Sequence, residues 1–229
     1  MLTWLAGASL VAAVVATTRW WLRRVDSLGR ARPFPVFSVA LLAVAGVGLL
    51  VPVIRHGQLE DRLDTAASAL VGAPVQVHCQ TAGKQFIDTG VELGYVRYGP
   101  DGVPERETLI KRRQCRDLAH YLGSSRERPS EAEVVAVHVL THEAMHMSGV
   151  TDEARAECLA VQSDARTARL LGASPEAATR LARFYWGVVY PRMPERYVSA
   201  ECRAGGELDV FSPDAPWLRP AALRTAQPG

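Results

Sequence analysis

The chain contains very little lysine and lacks the C-x-x-C spacing that many zinc–thiolate sites use. Only two of its 26 basic residues are lysines, Lys84 and Lys111, and we attribute this bias to genome composition rather than to function. The net charge is only +2, and no basic face is evident, so nucleic acid is not an expected partner. Internal repeats and low-complexity segments are also missing.

Charge is absent from two long apolar runs near the N-terminus, Leu2 to Thr18 and the 22 residues from Pro33 to Ile54. About 20 apolar residues, or about 17 at the short end, are enough for a helix to cross a bilayer. Both runs are therefore predicted to be transmembrane helices. A cleaved signal peptide is the alternative for the first run, but it lacks the positively charged start of such a peptide.

The link between the two runs carries five arginines and one acid, so residues 1–54 have a charge of +4 and the remainder −2. The positive-inside rule places this link, Arg19 to Arg32, in the cytoplasm and both termini outside. All four cysteines follow the second run: Cys79, Cys115, Cys158 and Cys202. In an oxidising compartment they are expected to form two disulfides, and we favour the sequential pairs Cys79–Cys115 and Cys158–Cys202 among three possible connectivities.

Beyond the second run, the pattern of apolar residues predicts a small sheet followed by several helices. Residues 59–71 form an amphipathic helix on the membrane surface or leading into the domain, and strands are expected at 74–80, 90–98 and 108–110. Helices are expected at 111–122, at 130–149 with a capping box from Ser130 and Glu133, at 152–171 with Thr151 as N-cap, and at 174–190. The last stretch is irregular.

The strongest motif is His142-Glu143-Ala144-Met145-His146, an H-E-x-x-H sequence in the helix that begins at Ser130. Two histidines four residues apart lie on one helix face, so both imidazoles can reach one cation. A zinc hydrolase uses such ligands together with a carboxylate that takes a proton from water, here Glu143. The alternative is a buried helix with packed histidines, which is less favoured because buried imidazoles need partners.

After His146 the chain turns within five residues, so the next helix must fold back antiparallel. Glu153 then lies level with His146, and Glu157 level with His142. Over about 30 residues, 134–162, the sequence resembles the gluzincin branch of the zincin metallopeptidases, whose second helix carries E-x-x-x-D. Residues 153–157 match this motif with Glu157 in place of the aspartate. This resemblance implies His142, His146 and Glu153 as zinc ligands and Glu157 as the support of His142.

Three points stay open at this stage. The run His142-Glu143-x-x-His146-x-x-Gly149-x-x-Asp152 also resembles the metzincin motif, with aspartate in place of the third histidine, and this would make Asp152 the ligand. Metzincins also have a methionine turn further along the chain, for which Met193 is a poor candidate. Glu157 is a third candidate for the ligand. His138 either extends the site or packs in the core. A tyrosine could donate a hydrogen bond to a tetrahedral oxyanion, and the candidates are Tyr185, Tyr190 and Tyr197.

The predicted fold is α+β and mainly helical. Residues 1–54 form a membrane anchor of two helices, residues 55–200 a zincin-like domain outside the cytoplasm with a small sheet, and residues 201–229 an irregular tail. The expected function is that of a multi-pass membrane protein of the cell membrane that hydrolyses peptide bonds in a peptide or protein substrate, with zinc as cofactor. The alternative is a non-catalytic binding or sensing ectodomain that a metal stabilises.

Overall fold

The computed structural model describes residues 2–26, 28–81 and 93–217, and divides the chain into two compact units, residues 1–59 and 60–229. The architecture is mainly helical with one small three-stranded sheet, as predicted. The part of the predicted strand that falls on residues 90–92 lies outside the described residues, as do residues 218–229 of the predicted tail.

Two helices are long and apolar enough to cross a membrane: α1, Leu2–Leu22, with 21 residues, and α2, Val36–Val71, with 36 residues. The first unit contains α1 and the larger part of α2. Close packing between them needs small residues, because a Cβ on Gly46 would stand only 2.7 Å from the side chain of Leu10. Ala6 and Ala13 are the buried residues of α1. Most other side chains of α1 are exposed.

The amphipathic segment 59–71 is not a separate helix but the last part of α2. No helix-breaking residue occurs between Ile54 and Val71 apart from a single glycine, so the helix continues. In the second unit this end of α2 buries Leu63, Ala66 and Ala67. Its acids also satisfy the backbone of the following strand, since the Val77 amide donates to Asp64 Oδ1 at 2.6 Å.

The sheet has the strand order β1-β3-β2, with β1 at Gln76–Cys79, β2 at Gly94–Tyr98 and β3 at Pro104–Ile110. Strand β3 is central, parallel to β1 and antiparallel to β2. All three predicted strands are therefore present, and β3 begins earlier than residue 108. Thr108 pairs with Val96, which places a threonine on the sheet beside the helix that carries the motif.

Four helices follow the sheet: α3 at Arg112–Gly123, α4 at Glu131–Met147, α5 at Glu153–Leu170 and α6 at Pro175–Phe184. The capping box of Ser130 and Glu133 at the start of α4 is confirmed. The predicted cap Thr151 is wrong by one residue, because Asp152 caps α5 by accepting from the Arg155 amide at 2.8 Å. The chain continues from α6 through a π-helical turn, Tyr185–Val189.

Both predicted disulfides are present, Cys79–Cys115 and Cys158–Cys202. The first joins β1 to α3, and the second joins α5 to the irregular segment that follows residue 200. That segment packs against α5 as far as it is described. The buried side chain of Gln162 donates to the Leu208 carbonyl at 2.9 Å and accepts from the Val210 amide at 3.0 Å.

Candidate metal centre

Helix α4 is buried almost all round, from Val134 to Met147 with only Val135 less covered. Such a helix has few exposed positions, so its polar side chains must find partners inside the protein. The next helix supplies them. Contacts run in register along the two helices, from His146 with Glu153, through His142 with Glu157, to His138 with Asp164. This order is that of an antiparallel helix pair, as the short turn predicts.

Three ligand-type atoms converge at the open end of this helix pair. The two histidine Nε2 atoms, of His142 and His146, lie 3.0 Å apart. Glu153 Oε2 lies 3.2 Å from the first and 3.4 Å from the second. Zinc bonds of about 2.0–2.2 Å in a tetrahedron put neighbouring ligand atoms about 3.3–3.6 Å apart. The set of two nitrogens and one carboxylate oxygen therefore fits one zinc ion in its chemistry, and shifts of a few tenths of an ångström bring the three atoms to that spacing.

The other ring nitrogen of each histidine faces a protein acceptor. His146 Nδ1 lies 2.7 Å from the Val150 carbonyl, to which it donates. His142 Nδ1 lies 2.9 Å from Glu157 Oε2, an ion-pair distance without the alignment of a full hydrogen bond. A proton on each Nδ1 leaves the Nε2 lone pair to point at the shared centre, which is the tautomer that a metal ligand needs.

The electrostatics of the centre favour positive charge. Burial opposes a charge on His142, but the carboxylates of Glu153 and Glu157 raise its pKa to about 9. The same contacts with the two histidines hold the pKa of Glu153 well below its usual range. The raised pKa keeps a second proton on the His142 ring. A cation bound between the three ligand atoms would displace this proton, so metal binding would release it.

Glu143 is 4% exposed and packs against the sheet rather than joining the three ligand atoms. Its Oε2 lies 3.3 Å from Thr108 Oγ1, which is also 3.0 Å from the Tyr95 carbonyl. A hydroxyl can donate or accept, so Thr108 can hold this carboxyl in either protonation state. Burial raises the pKa of Glu143, against the opposing effect of the two histidines.

Gly94, at the start of β2, leaves the space that Glu143 occupies. A Cβ at this position would stand 2.7 Å from Glu143 Oε1 and 3.0 Å from its Cδ. Thr108 and Gly94 were missed by sequence reasoning, because both belong to strands far from the motif along the chain. The sequence signal available for Gly94 was only a glycine in an alternating strand pattern, which often marks a close approach.

A cavity of about 630 Å³ opens in front of these residues. Strand β2 forms one wall and the segment after α6 another, and the lining is mostly apolar and aromatic, including Tyr95, Tyr98, Val139, Val189 and Tyr197. His142, His146 and Glu153 all line this cavity, and Glu153 is the most exposed of the three, with 44% of its side chain accessible. A small molecule or a chain segment can thus approach the three ligand atoms from one side.

The residues of the alternatives that the sequence left open lie in different surroundings. Asp152 serves as the N-cap of α5 and is not one of the clustered groups. Among the three tyrosines, Tyr185 donates to Glu157 at 2.6 Å, and Tyr190 Oη is engaged by the backbone of Ser199. Tyr197 lies along the cavity, with its ring 5.8 Å from that of His142.

His138, His142 and Glu157 form a second group of potential ligands. Both ring nitrogens of His138 already contact carboxylates, Asp164 at 2.9 Å and Glu157 at 3.0 Å, and its side chain is only 3% exposed. Two carboxylates, against the effect of burial, raise the pKa of His138 to about 10. We therefore regard this group as a buried ion-pair network and the first group as the candidate metal centre.

Comparison of the chain with protein-family models, with curated proteins and with solved structures finds no match.

Proposed function

We propose that the chain is a membrane-anchored zinc metallopeptidase, similar to the gluzincins, that hydrolyses peptide bonds outside the cytoplasm. The observation that carries the proposal is the convergence of His142 Nε2, His146 Nε2 and Glu153 Oε2 within 3.4 Å of one another beside a buried carboxylate, Glu143. A metal that only staples two helices needs no such carboxylate, so its presence favours catalysis.

Three protein ligands and one open side are typical of catalytic zinc, which when bound supplies a Lewis acid that polarises a carbonyl and activates water. The residues of this chain do the rest. Glu143 takes a proton from the attacking water and passes it to the leaving amine, and its raised pKa suits a group that must both accept and release a proton. Thr108 keeps the Glu143 carboxyl in place throughout.

Tyr197 is the proposed donor to the oxyanion that develops on the substrate. Its ring lies beside His142, and its hydroxyl accepts from Arg196 Nη2 at 3.1 Å, which leaves its own proton available for donation. A hydroxyl donor aimed at the developing charge is a common source of rate enhancement in acyl transfer.

Strand β2 supports a peptide as the substrate. It lies at one edge of the sheet, and among the described residues no strand pairs with its outer side. Four of its residues line the cavity, and an extended peptide can add to such an edge by backbone hydrogen bonds. A backbone-recognising edge next to a candidate zinc centre favours peptide hydrolysis over hydrolysis of a small ester or amide.

Two further observations support a location outside the cytoplasm. Two disulfides are typical of an oxidising compartment. The arginine-rich link between the two apolar helices favours an orientation with the link inside, and the chain after α2 then lies on the other side.

The test uses the full chain purified in detergent without chelator. We expect about one zinc per chain, loss of that zinc in His146→Ala, and turnover of a peptide library by the wild-type protein. Glu143→Gln is nearly isosteric, so it should keep zinc while turnover falls by about 10²- to 10⁴-fold. Glu131→Gln makes the same chemical change at an exposed position of α4 and should leave both readouts unchanged.

Equal turnover in wild type and Glu143→Gln would contradict the assigned base. Zinc bound at full occupancy with no turnover in either protein would favour the non-catalytic binding or sensing domain. Full zinc occupancy in His146→Ala would refute the metal centre itself.

A further inference from the structure

A group of buried polar residues behind the metal centre has no part in the chemistry described so far. His138 is 2% exposed, and its two ring nitrogens contact Asp164 Oδ2 at 2.9 Å and Glu157 Oε2 at 3.0 Å. Asp164 is fully buried. A buried charged group without partners is strongly destabilising, so each member of this group depends on the others.

Tyr185 completes the group. Its ring stacks on that of His138 with centroids 3.6 Å apart and an angle of 11° between the planes. Its hydroxyl donates to Glu157 Oε1 at 2.6 Å. The Glu157 carboxylate is therefore held at Oε1 by Tyr185 and at Oε2 by His138, and neither oxygen can turn without losing a contact.

Glu157 in turn faces the metal centre through His142 Nδ1, at 2.9 Å from Oε2. The rotation of the His142 ring decides where its Nε2 points, and Glu157 limits this rotation. A chain of contacts thus leads from Asp164 through His138 to Glu157 and on to the ligand nitrogen of His142, with Tyr185 bracing Glu157 from its other oxygen.

We propose that His138, Asp164 and Tyr185 are positioning residues that act through Glu157 to hold His142 in the orientation that binds metal. This positioning role rests on the proposed metal centre. It adds the residues that contact Glu157, which are His138 and Tyr185, and behind them Asp164. Partners of this kind behind a ligand typically change metal affinity by about 10- to 100-fold. The network adds negative charge behind His142 and makes its proton on Nδ1 the favoured one.

The experiment measures metal binding by the full chain in detergent, independently of any hydrolysis. Metal-free protein is titrated with zinc against a competing chelator and with cobalt(II), whose visible absorption reports ligand geometry. We compare wild type with Tyr185→Phe, His138→Gln, Glu157→Gln and the double variant His138→Gln/Glu157→Gln. Tyr190→Phe is the matched control, because it makes the same change at a buried tyrosine whose hydroxyl bonds the Ser199 backbone instead of Glu157.

We expect Tyr185→Phe and His138→Gln each to weaken zinc binding by about 10- to 100-fold and to alter the visible spectrum of the cobalt-loaded protein. Tyr190→Phe should leave both the zinc affinity and the cobalt spectrum unchanged, whatever it does to thermal stability. Because His138 acts through Glu157, the double variant should bind zinc about as weakly as Glu157→Gln alone.

Wild-type affinity in Tyr185→Phe and His138→Gln, or additive losses in the double variant, would overturn the positioning role while leaving the metal centre intact. Tyr185→Phe keeps the stacked ring, so it decides the question if His138→Gln does not fold. A wild-type protein that binds no metal would refute the centre and the positioning role together.

Discussion

At the scale of the residue, the two motif histidines differ in what holds them. His146 donates to a main-chain carbonyl, that of Val150, in the turn between α4 and α5. His142 instead depends on the Glu157 carboxylate, which is charged and buried. The contact of His146 depends on the backbone of the turn. The contact of His142 with Glu157 adds negative charge, which makes the His142 imidazole a stronger base. The two ligands should therefore respond differently to changes in their surroundings.

Gly94→Ala tests the placement of Glu143. The new methyl group would stand 2.7 Å from Glu143 Oε1, so either the carboxylate or strand β2 must move. We expect zinc binding to persist and peptide turnover to fall by about 10²-fold, the usual effect of misplacing a catalytic group by about 1 Å. Metal analysis and turnover of the purified chain provide the two readouts.

Gly123→Ala is the control for that variant, because no atom lies within 4 Å of the added group. Its turnover should match the wild type. Retained turnover in Gly94→Ala would mean that Glu143 is not held against β2 in the working protein.

At the scale of the element, the antiparallel pair of α4 and α5 forms the candidate metal centre, and the turn between the two helices sets their register. Gly149 in this turn has φ +103°, a conformation that residues with a side chain rarely adopt. It allows the chain to reverse so that the first residue of α5, Glu153, faces the histidines of the last turn of α4. If the proposed centre binds metal, a glycine at this position contributes to binding as well as to ending the helix.

Gly149→Ala should therefore lower both the thermal stability and the zinc affinity of the chain. The backbone strain is about 1–2 kcal/mol, and any relief of it shifts Glu153 relative to His142 and His146. Gly172→Ala is the matched control, since Gly172 has φ +92° after the end of α5, away from the ligands. It should lower stability and leave zinc affinity unchanged.

Differential scanning calorimetry of the metal-free proteins would give the thermal stability, and competition with a chelator would give the zinc affinity. If Gly149→Ala weakens zinc binding no more than Gly172→Ala does, the turn does not set the position of Glu153.

At the scale of the whole molecule, two properties favour the same orientation: the arginine-rich link between α1 and α2, and the two disulfides that follow α2. A cysteine introduced at Leu28 should resist a membrane-impermeant thiol reagent on intact cells, because the link is predicted to be cytoplasmic. A cysteine at exposed Glu176 should react. Labelling at position 28 without permeabilisation would reverse the predicted orientation and leave the disulfides without an explanation.

Much of the molecule follows from local sequence patterns. The length and apolar character of the two runs predict α1 and the first part of α2, because both properties can be read from one continuous stretch of sequence. The capping box at Ser130 and the glycine at 149 bound the motif helix correctly, because caps satisfy backbone groups of their own helix. The short turn after His146 forces an antiparallel neighbour. Glu157 accordingly lies beside His142, whereas Glu153 contacts both motif histidines and not His146 alone.

Other features depend on segments that are distant along the chain and needed the tertiary structure. The contact of Thr108 and Gly94 with Glu143 requires the sheet to pack on α4, which no local pattern encodes. His138 was expected either to extend the site or to pack in the core, and its partner Asp164 lies 26 residues away. Periodicity places a residue on a helix face, but packing between helices selects which polar side chains meet in the interior, where an unpaired charge is most costly.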